Sequence, residues 1–220
     1  MTRPQRLAIA LLGFALPLVA SAQMAHYALD PVHTRVLFAV SHAGFSQAMG
    51  TVSGSHGELW FDPNDWSGAK LMVEVPLDRL DMGDAKWTRA VRAANLLDTA
   101  KYPTARFASK RIEPIDASHA RVCGDLEIHG VARDTCLDVA FNQLKRHPMP
   151  PFRRTAGFSA TATLKRSDFG IDAWKSLIGD EVQLRIEAEA VRARGGSDDS
   201  DSDKDNPPST PDNAAPGTHP

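Results

Sequence analysis

Two alternating apolar segments meet at His129-Gly130, and this junction restricts the fold more tightly than any other stretch of the chain. From Ala120 to Phe141 the sequence reads ARVCGDLEIHGVARDTCLDVAF. A two-residue connection between alternating segments signals a β-hairpin, and the favoured turn needs φ > 0 at both central residues. Glycine adopts that conformation freely, and histidine is among the few other residues enriched in it. Centring the hairpin there sets Ile128 against Val131, Leu126 against Arg133, Gly124 against Thr135 and Val122 against Leu137 on a mostly apolar, inward face. The other face pairs Glu127 with Ala132, Asp125 with Asp134, and Cys123 with Cys136. The cysteines fall on a non-hydrogen-bonded pair, where the chains approach most closely. These are the chain's only two cysteines. The register predicts a cross-strand disulfide on the outer face, with free or metal-binding thiols as the competing reading.

Residues 1–22 read as a secretory signal peptide. Arg3 and Arg6 form a positive start, Leu7 to Val19 is apolar, and Ala20-Ser21-Ala22 is a small-residue cleavage site. The apolar run is short for a membrane span. Export to a periplasm or secretion suits a disulfide, and no second stretch is apolar enough to cross a membrane. At the other end, residues 195–220 contain no large apolar residue and six aspartates, a composition expected of a disordered acidic tail. The formal net charge is -2. Setting aside Arg3, Arg6 and Lys204 from the 25 basic residues, and the tail's six aspartates from the 27 acidic ones, leaves 22 and 21, a domain near +1. That balance argues against a nucleic-acid partner.

Between the two ends, residues 23–194 are long enough for one domain with one core. Tyr27 to His42 begins it, with Val36, Phe38 and Val40 alternating as in a strand. Met49 to Phe61 alternates less regularly, and Ala69 to Pro76 is a further strand. The period then changes: Asp84 to Leu97 has helical spacing, with Asp84 as its N-cap. Thr104 to Ile112 returns to strand, and the hairpin follows. After the proline-rich loop Arg146 to Pro151, Thr155 to Arg166 and Glu181 to Arg194 alternate cleanly. Roughly eight strands at hairpin spacing plus one helix predict an all-β fold, an antiparallel sandwich or a closed barrel.

The chain lacks the HExxH, CxxC, P-loop, GxGxxG and GxSxG motifs. His26, His33, His42 and His56 crowd the N-terminal quarter. They suggest hydrogen-bonding roles first, and a haem or metal site second. His33 and His42 stand nine residues apart, on opposite faces of a continuous strand, so one strand would not bring both to one metal. An enzyme acting on a lipid through His33, His42 or Asp168 is a further alternative. The inward positions are more informative. Ala160, Ala162, Ala188, Ala190 and Gly124 are small. Val36, Phe38, Val40, Val73, Phe107, Leu126, Ile128, Phe158, Leu164, Leu184 and Ile186 are aliphatic or aromatic. An eight-stranded barrel is just filled by its side chains or holds one small ligand, and this mixture favours an apolar tunnel. Those residues, with Ala160 and Ala162, form the expected pore lining. His42, Arg166 and Asp168 are the candidates for contact with a polar headgroup.

At this point the sequence resembles the YceI-like, polyisoprenoid-binding periplasmic proteins. The resemblance is carried by Tyr27-Ala-Leu-Asp-Pro-Val-His-Thr with Phe38 and His42, by Lys101-Tyr-Pro-Thr-Ala-Arg-Phe, and by Gly124-Asp-Leu-Glu-Ile-His-Gly-Val. Gly157-Phe-Ser-Ala and Lys165-Arg-Ser-Asp-Phe-Gly-Ile complete it, in family order from about Tyr27 to Arg194. The family's helical stretch carries a His-Leu pair where this chain has Ala94-Asn95-Leu96, and the cysteine pair and acidic tail are not general family features. The resemblance implies an eight-stranded antiparallel, lipocalin-like barrel with one covering helix. It implies an isoprenoid or related amphiphilic lipid in the pore, such as a polyprenyl lipid or a quinone tail. It implies no catalytic residues, no metal and no further cofactor. The oligomeric state stays open, a homodimer included.

Overall fold

The computed structural model describes residues 24–193; the expected signal peptide and acidic tail lie outside them. Eleven strand segments are present: β1 (Ala25–Leu29), β2 (Arg35–His42), β3 (Ser46–Ser53), β4 (His56–Asp62), β5 (Asp65–Pro76), β6 (Leu80–Asp81), β7 (Thr104–Pro114), β8 (His119–Ile128), β9 (Val131–Arg146), β10 (Arg154–Lys165) and β11 (Ile178–Arg192). One helix, α1 (Ala85–Arg92), stands between β6 and β7. All pairings are antiparallel, and β1 pairs with both β4 and β11, which closes the sheet on itself. β2 continues β1 along β11, and β3 continues β4 along the opposite side. β6 likewise continues β5 past a short 3-10 turn at Leu77–Arg79 and pairs with β3. The wall is therefore an eight-stave, up-and-down barrel, as expected, with three of its staves broken.

Two of the breaks, between β1 and β2 and between β3 and β4, have a local cause. Asp30 Oδ1 accepts the backbone N–H of Val32 at 2.8 Å, and Thr34 N–H donates to Asp30 O at 2.9 Å. The Asp-Pro turn thus interrupts what the sequence reads as one strand from Tyr27 to His42. Gly54, at φ 77°, interrupts the neighbouring stave at the same level and donates its N–H to Pro31 O. Both breaks shift side-chain phase. Tyr27 and Leu29 point inward on odd numbers, whereas Val36, Phe38 and Val40 do so on even ones. In a period-2 strand such a switch requires an odd insertion.

The hairpin at the centre of the sequence reading has the expected register throughout, from Ile128 opposite Val131 to Cys123 opposite Cys136. His129 and Gly130 have φ of 55° and 72°, the mirror-image turn. The cysteines are joined, with Cα atoms 4.0 Å apart. Cys136 is exposed, as an outer-face position should be, but Cys123 is buried. There β7 bulges between Ser109 and Arg111 and lays Arg111 alongside Cys123.

Helix α1 begins at the expected cap: Asp84 Oδ1 accepts N–H bonds from Lys86 at 2.9 Å and Trp87 at 3.0 Å. It ends at Arg92, earlier than the helical spacing to Leu97 predicts. The following residues turn back in tight loops, with Leu96 N–H on Ala93 O and Leu97 N–H on Val91 O. This reversal presents Leu96 and Leu97 to the barrel interior, where burial outweighs the few tenths of a kcal/mol per residue that helix propensity offers.

The chain order divides the connections between two ends. The β2–β3 turn, the α1 excursion, the hairpin turn at His129-Gly130 and the loop from Arg166 to Leu177 lie at one end. The short connections β4–β5, β7–β8 and β9–β10 lie at the other. That second end is closed by an aromatic cluster. Phe61 meets Trp66 edge-on at 5.1 Å and Phe158 at 5.3 Å, and Phe141 tilts against Phe61 at 5.2 Å.

Candidate functional site: an apolar cavity inside the barrel

The staves enclose a cavity of about 440 Å³. It falls within the roughly 300–1,000 Å³ spanned by small-molecule sites. Its wall is almost wholly carbon. Val36, Phe38, Val40, Val73, Phe107, Leu126, Ile128, Phe158, Ala160, Leu164, Leu184 and Ile186 all line it. Ala162 shares the inward face of β10 but belongs to the packed core beside the cavity instead of its lining. Several lining residues lie outside the sequence reading: Leu29, Leu59, Leu71, Val75, Met82, Val91 and Leu97 among them. Leu71 and Val75 follow from the same alternation as Val73. Leu29 and Leu59 required the phase breaks described above. Leu97 required the chain reversal after α1.

Small residues hold space open where larger ones would fill it. Ala188 and Ala160 face the cavity on adjacent staves. Gly50 does so by a different route: it lies opposite Phe38 in the register, and a Cβ on it would come within 2.6 Å of Met82 Sδ. The tip of the Phe38 ring occupies the space that a side chain at residue 50 would take.

The polar side chains in the lining are Thr34, Ser41, His42, Ser55 and Arg166. Ser55 is fully buried, and its hydroxyl finds no partner. Arg166 is also buried, and its guanidinium is committed to the backbone. Nη1 donates to Ile171 O at 2.6 Å and Ala173 O at 2.8 Å, Nε to Gly179 O at 2.9 Å, and Nη2 to Ile178 O at 2.9 Å. It pins the loop before β11, which engages four of the guanidinium's five N–H donors. Asp168 stands exposed on the short 3-10 turn after β10 and is not part of the lining. The neighbouring Ser167 hydrogen-bonds Asp180 through both its N–H and its hydroxyl, holding that carboxyl below the usual range. Of the three headgroup candidates, only His42 combines cavity contact with partial exposure. Its ring tilts against Trp87 of α1 at 5.5 Å, at the end of the barrel that α1 covers.

The other N-terminal histidines take separate partners. His26 stacks on Trp60 at 4.9 Å and bonds Glu58, while His56 lies 3.6 Å from Glu74. His33 Nδ1 lies 2.7 Å from Asp30 Oδ2, and the carboxylate raises its pKa. Among the described residues, Asp30, His33 and Glu189 bring one potential ligand atom each within 4.8 Å of one another. They lie on the outside of the barrel turn, and Asp30 is already engaged in the turn itself.

This geometry has counterparts among known proteins. A UPF0312 protein of Pseudomonas savastanoi pv. phaseolicola is 35% identical over 167 residues, spanning 75% of this chain and 86% of that one. A UPF0312 protein of Pseudomonas putida strain W619 is 31% identical over 185 residues, spanning 83% and 95%. The crystal structure of BcnA from Burkholderia cenocepacia matches with a TM-score of 0.65 at 25% identity, covering 73% of this chain and 98% of BcnA. A polyisoprenoid binding domain from Saccharophagus degradans matches with a TM-score of 0.54, covering 78% of this chain and 100% of that domain; at 16% identity this is a likeness of fold. Residues 27–190 match the YceI-like domain, and with these relatives the chain belongs to the YceI-like family.

Proposed function

We propose that this protein binds and carries one isoprenoid chain, such as a polyprenyl lipid or a quinone tail, without catalysing a reaction on it. The observation that supports this most strongly is the carbon-walled cavity of about 440 Å³ along the barrel interior. Such a wall rewards hydrocarbon and offers a polar ligand almost nothing, because a buried polar group without a partner costs several kcal/mol. Each buried methylene contributes about 0.8 kcal/mol, so each five-carbon unit contributes roughly 3 to 4. Three units exceed the several kcal/mol lost on immobilising a ligand. The ligand's polar end belongs at the His42–Trp87 end, since the opposite end is closed by the aromatic cluster. The likeness of fold to a polyisoprenoid binding domain is consistent with this reading.

We also propose that the protein works in the periplasm or outside the cell. The reading of residues 1–22 as a secretory signal supports this, as does a disulfide that would be reduced in most cytosols. Organic extraction of the purified protein followed by lipid mass spectrometry tests the cargo. A long-chain isoprenoid at near one per protein is expected. Repeated preparations without long-chain lipid, together with failure of the stripped protein to take up an added polyprenol or quinone, would refute it.

A further inference from the structure

The cavity end of the barrel carries an apolar rim on its outer surface. Phe45 is 91% exposed, Trp174 57%, Leu177 45% and Trp87 42%. They come from three separate segments that the fold brings together. Phe45 lies in the β2–β3 turn, Trp174 and Leu177 in the loop before β11, and Trp87 on α1. The segments are tied to one another. Ala43 N–H donates to Leu177 O, Ile178 pairs with His42 in the sheet, and His42 meets Trp87 ring to ring. The loops are built to hold this display. Trp174 sits at φ 56°, a conformation uncommon for a bulky residue, and its carbonyl accepts N–H bonds from both Leu177 and Ile178 at 2.8 Å.

The rim is continuous with the cavity, because His42, Trp87 and Ile178 line the cavity while touching the rim. An unbroken apolar path therefore runs from the protein's outer surface to its interior. Lys86 is an exposed cation beside Trp87, and the exposed Lys175 beside Trp174 pairs with Asp172 at 2.9 Å. Aromatic side chains at the depth of headgroups, flanked by basic residues, are the chemistry that seats a protein on phospholipid.

We infer that this rim docks on a phospholipid bilayer, so that an isoprenoid chain passes between membrane and cavity without crossing water. The inference rests on the proposed cargo and adds its route of entry. At the opposite end Met149 and Phe152 are also exposed, but the aromatic cluster separates them from the cavity, so they form the natural control.

The test is sedimentation of the purified protein with vesicles of phosphatidylethanolamine and phosphatidylglycerol, comparing wild type, F45S/L177S and F152S. The wild type and F152S are expected to co-sediment, and F45S/L177S to partition about a hundredfold less, the loss expected for two large apolar groups. Indole emission should shift to the blue on binding in the wild type, and lipids brominated near the headgroup should quench it. A W174K variant checks the result by a second route, and melting temperatures within a few degrees of wild type show that the variants fold. Equal binding of wild type and F45S/L177S overturns the inference, as does no wild-type binding. So does rim-dependent self-association with no vesicle binding, since the rim would then serve a second copy of the chain. Lipid found by mass spectrometry without vesicle binding defeats only the docking, whereas vesicle binding by a protein that never holds lipid defeats the cargo.

Discussion

Replacing Ala160 by Phe separates a hollow barrel from a filled one. Ala160 lies on β10 between Val139 of β9 and Ile186 of β11, and faces the cavity. If the cavity of about 440 Å³ is the lipid site, a phenyl ring enters space that the barrel's own side chains leave open. Filling such space avoids the roughly 1–3 kcal/mol cost of forcing extra carbon into a close-packed core. The same ring displaces ligand carbon, and at about 0.8 kcal/mol for each carbon excluded the loss approaches 4 to 5 kcal/mol. Allowing the ligand to slide toward the mouth halves that figure to about 2 to 2.5 kcal/mol, which still weakens binding roughly 30- to 70-fold. The assay has two arms on lipid-stripped protein: urea unfolding for stability, and titration with a polyprenol for affinity. Unfolding free energy within about 1 kcal/mol of wild type with binding lost is the expected result. A variant destabilised by several kcal/mol with unaltered binding would refute the reasoning.

Three further outcomes follow from particular contacts. The cystine closes a loop with a sequence separation of 13, so reduction or C123S/C136S should lower unfolding free energy by about 3 kcal/mol, read from urea midpoints with and without reductant. Arg166→Met strips donors from the carbonyls of Ile171, Ala173, Ile178 and Gly179, and should cost about 3 kcal/mol in the same assay. Arg166→Lys should recover little, because an ammonium cannot reproduce the guanidinium fork. Acid should also destabilise the fold. The Ser118 N–H and His119 hold Asp116 at about 2, Ser167 holds Asp180 low, and the Ser159 hydroxyl holds Glu187 low. Each carboxyl is more acidic folded than unfolded, so its stabilisation is complete above about pH 5 and is lost as the pH falls toward 2. Urea midpoints at about pH 5 and pH 2.5 measure this, and equal midpoints would contradict it.

What the residues encode locally and what the fold decides part along the range of the interactions involved. The hairpin register around His129-Gly130, the disulfide it permits, the alternating staves β10 and β11 and the Asp84 cap were all legible, because each depends on residues near one another in the chain. Most of the pore lining followed from the same alternation, since period-2 phase alone assigns a side chain to one face of a strand. The broken staves were legible in principle, in the odd spacing between Leu29 and Val36, but an alternation read only from Val36 onward passes over it.

The tertiary structure decided the rest. The sequence contains an arginine at 166, but only the folded loop surrounds it with four carbonyls and commits most of its donors to the backbone. The helical spacing of residues 84–97 gives way after Arg92 because Leu96 and Leu97 gain more from the barrel interior than from another turn of helix. Whether the pore is hollow could not be read from the chain, because alternation assigns side chains to the inside without summing their volumes against the space the closed sheet encloses. Local pairing and phase were written in the residues; the cavity and its apolar mouth exist only once β1 meets β11 and the barrel closes.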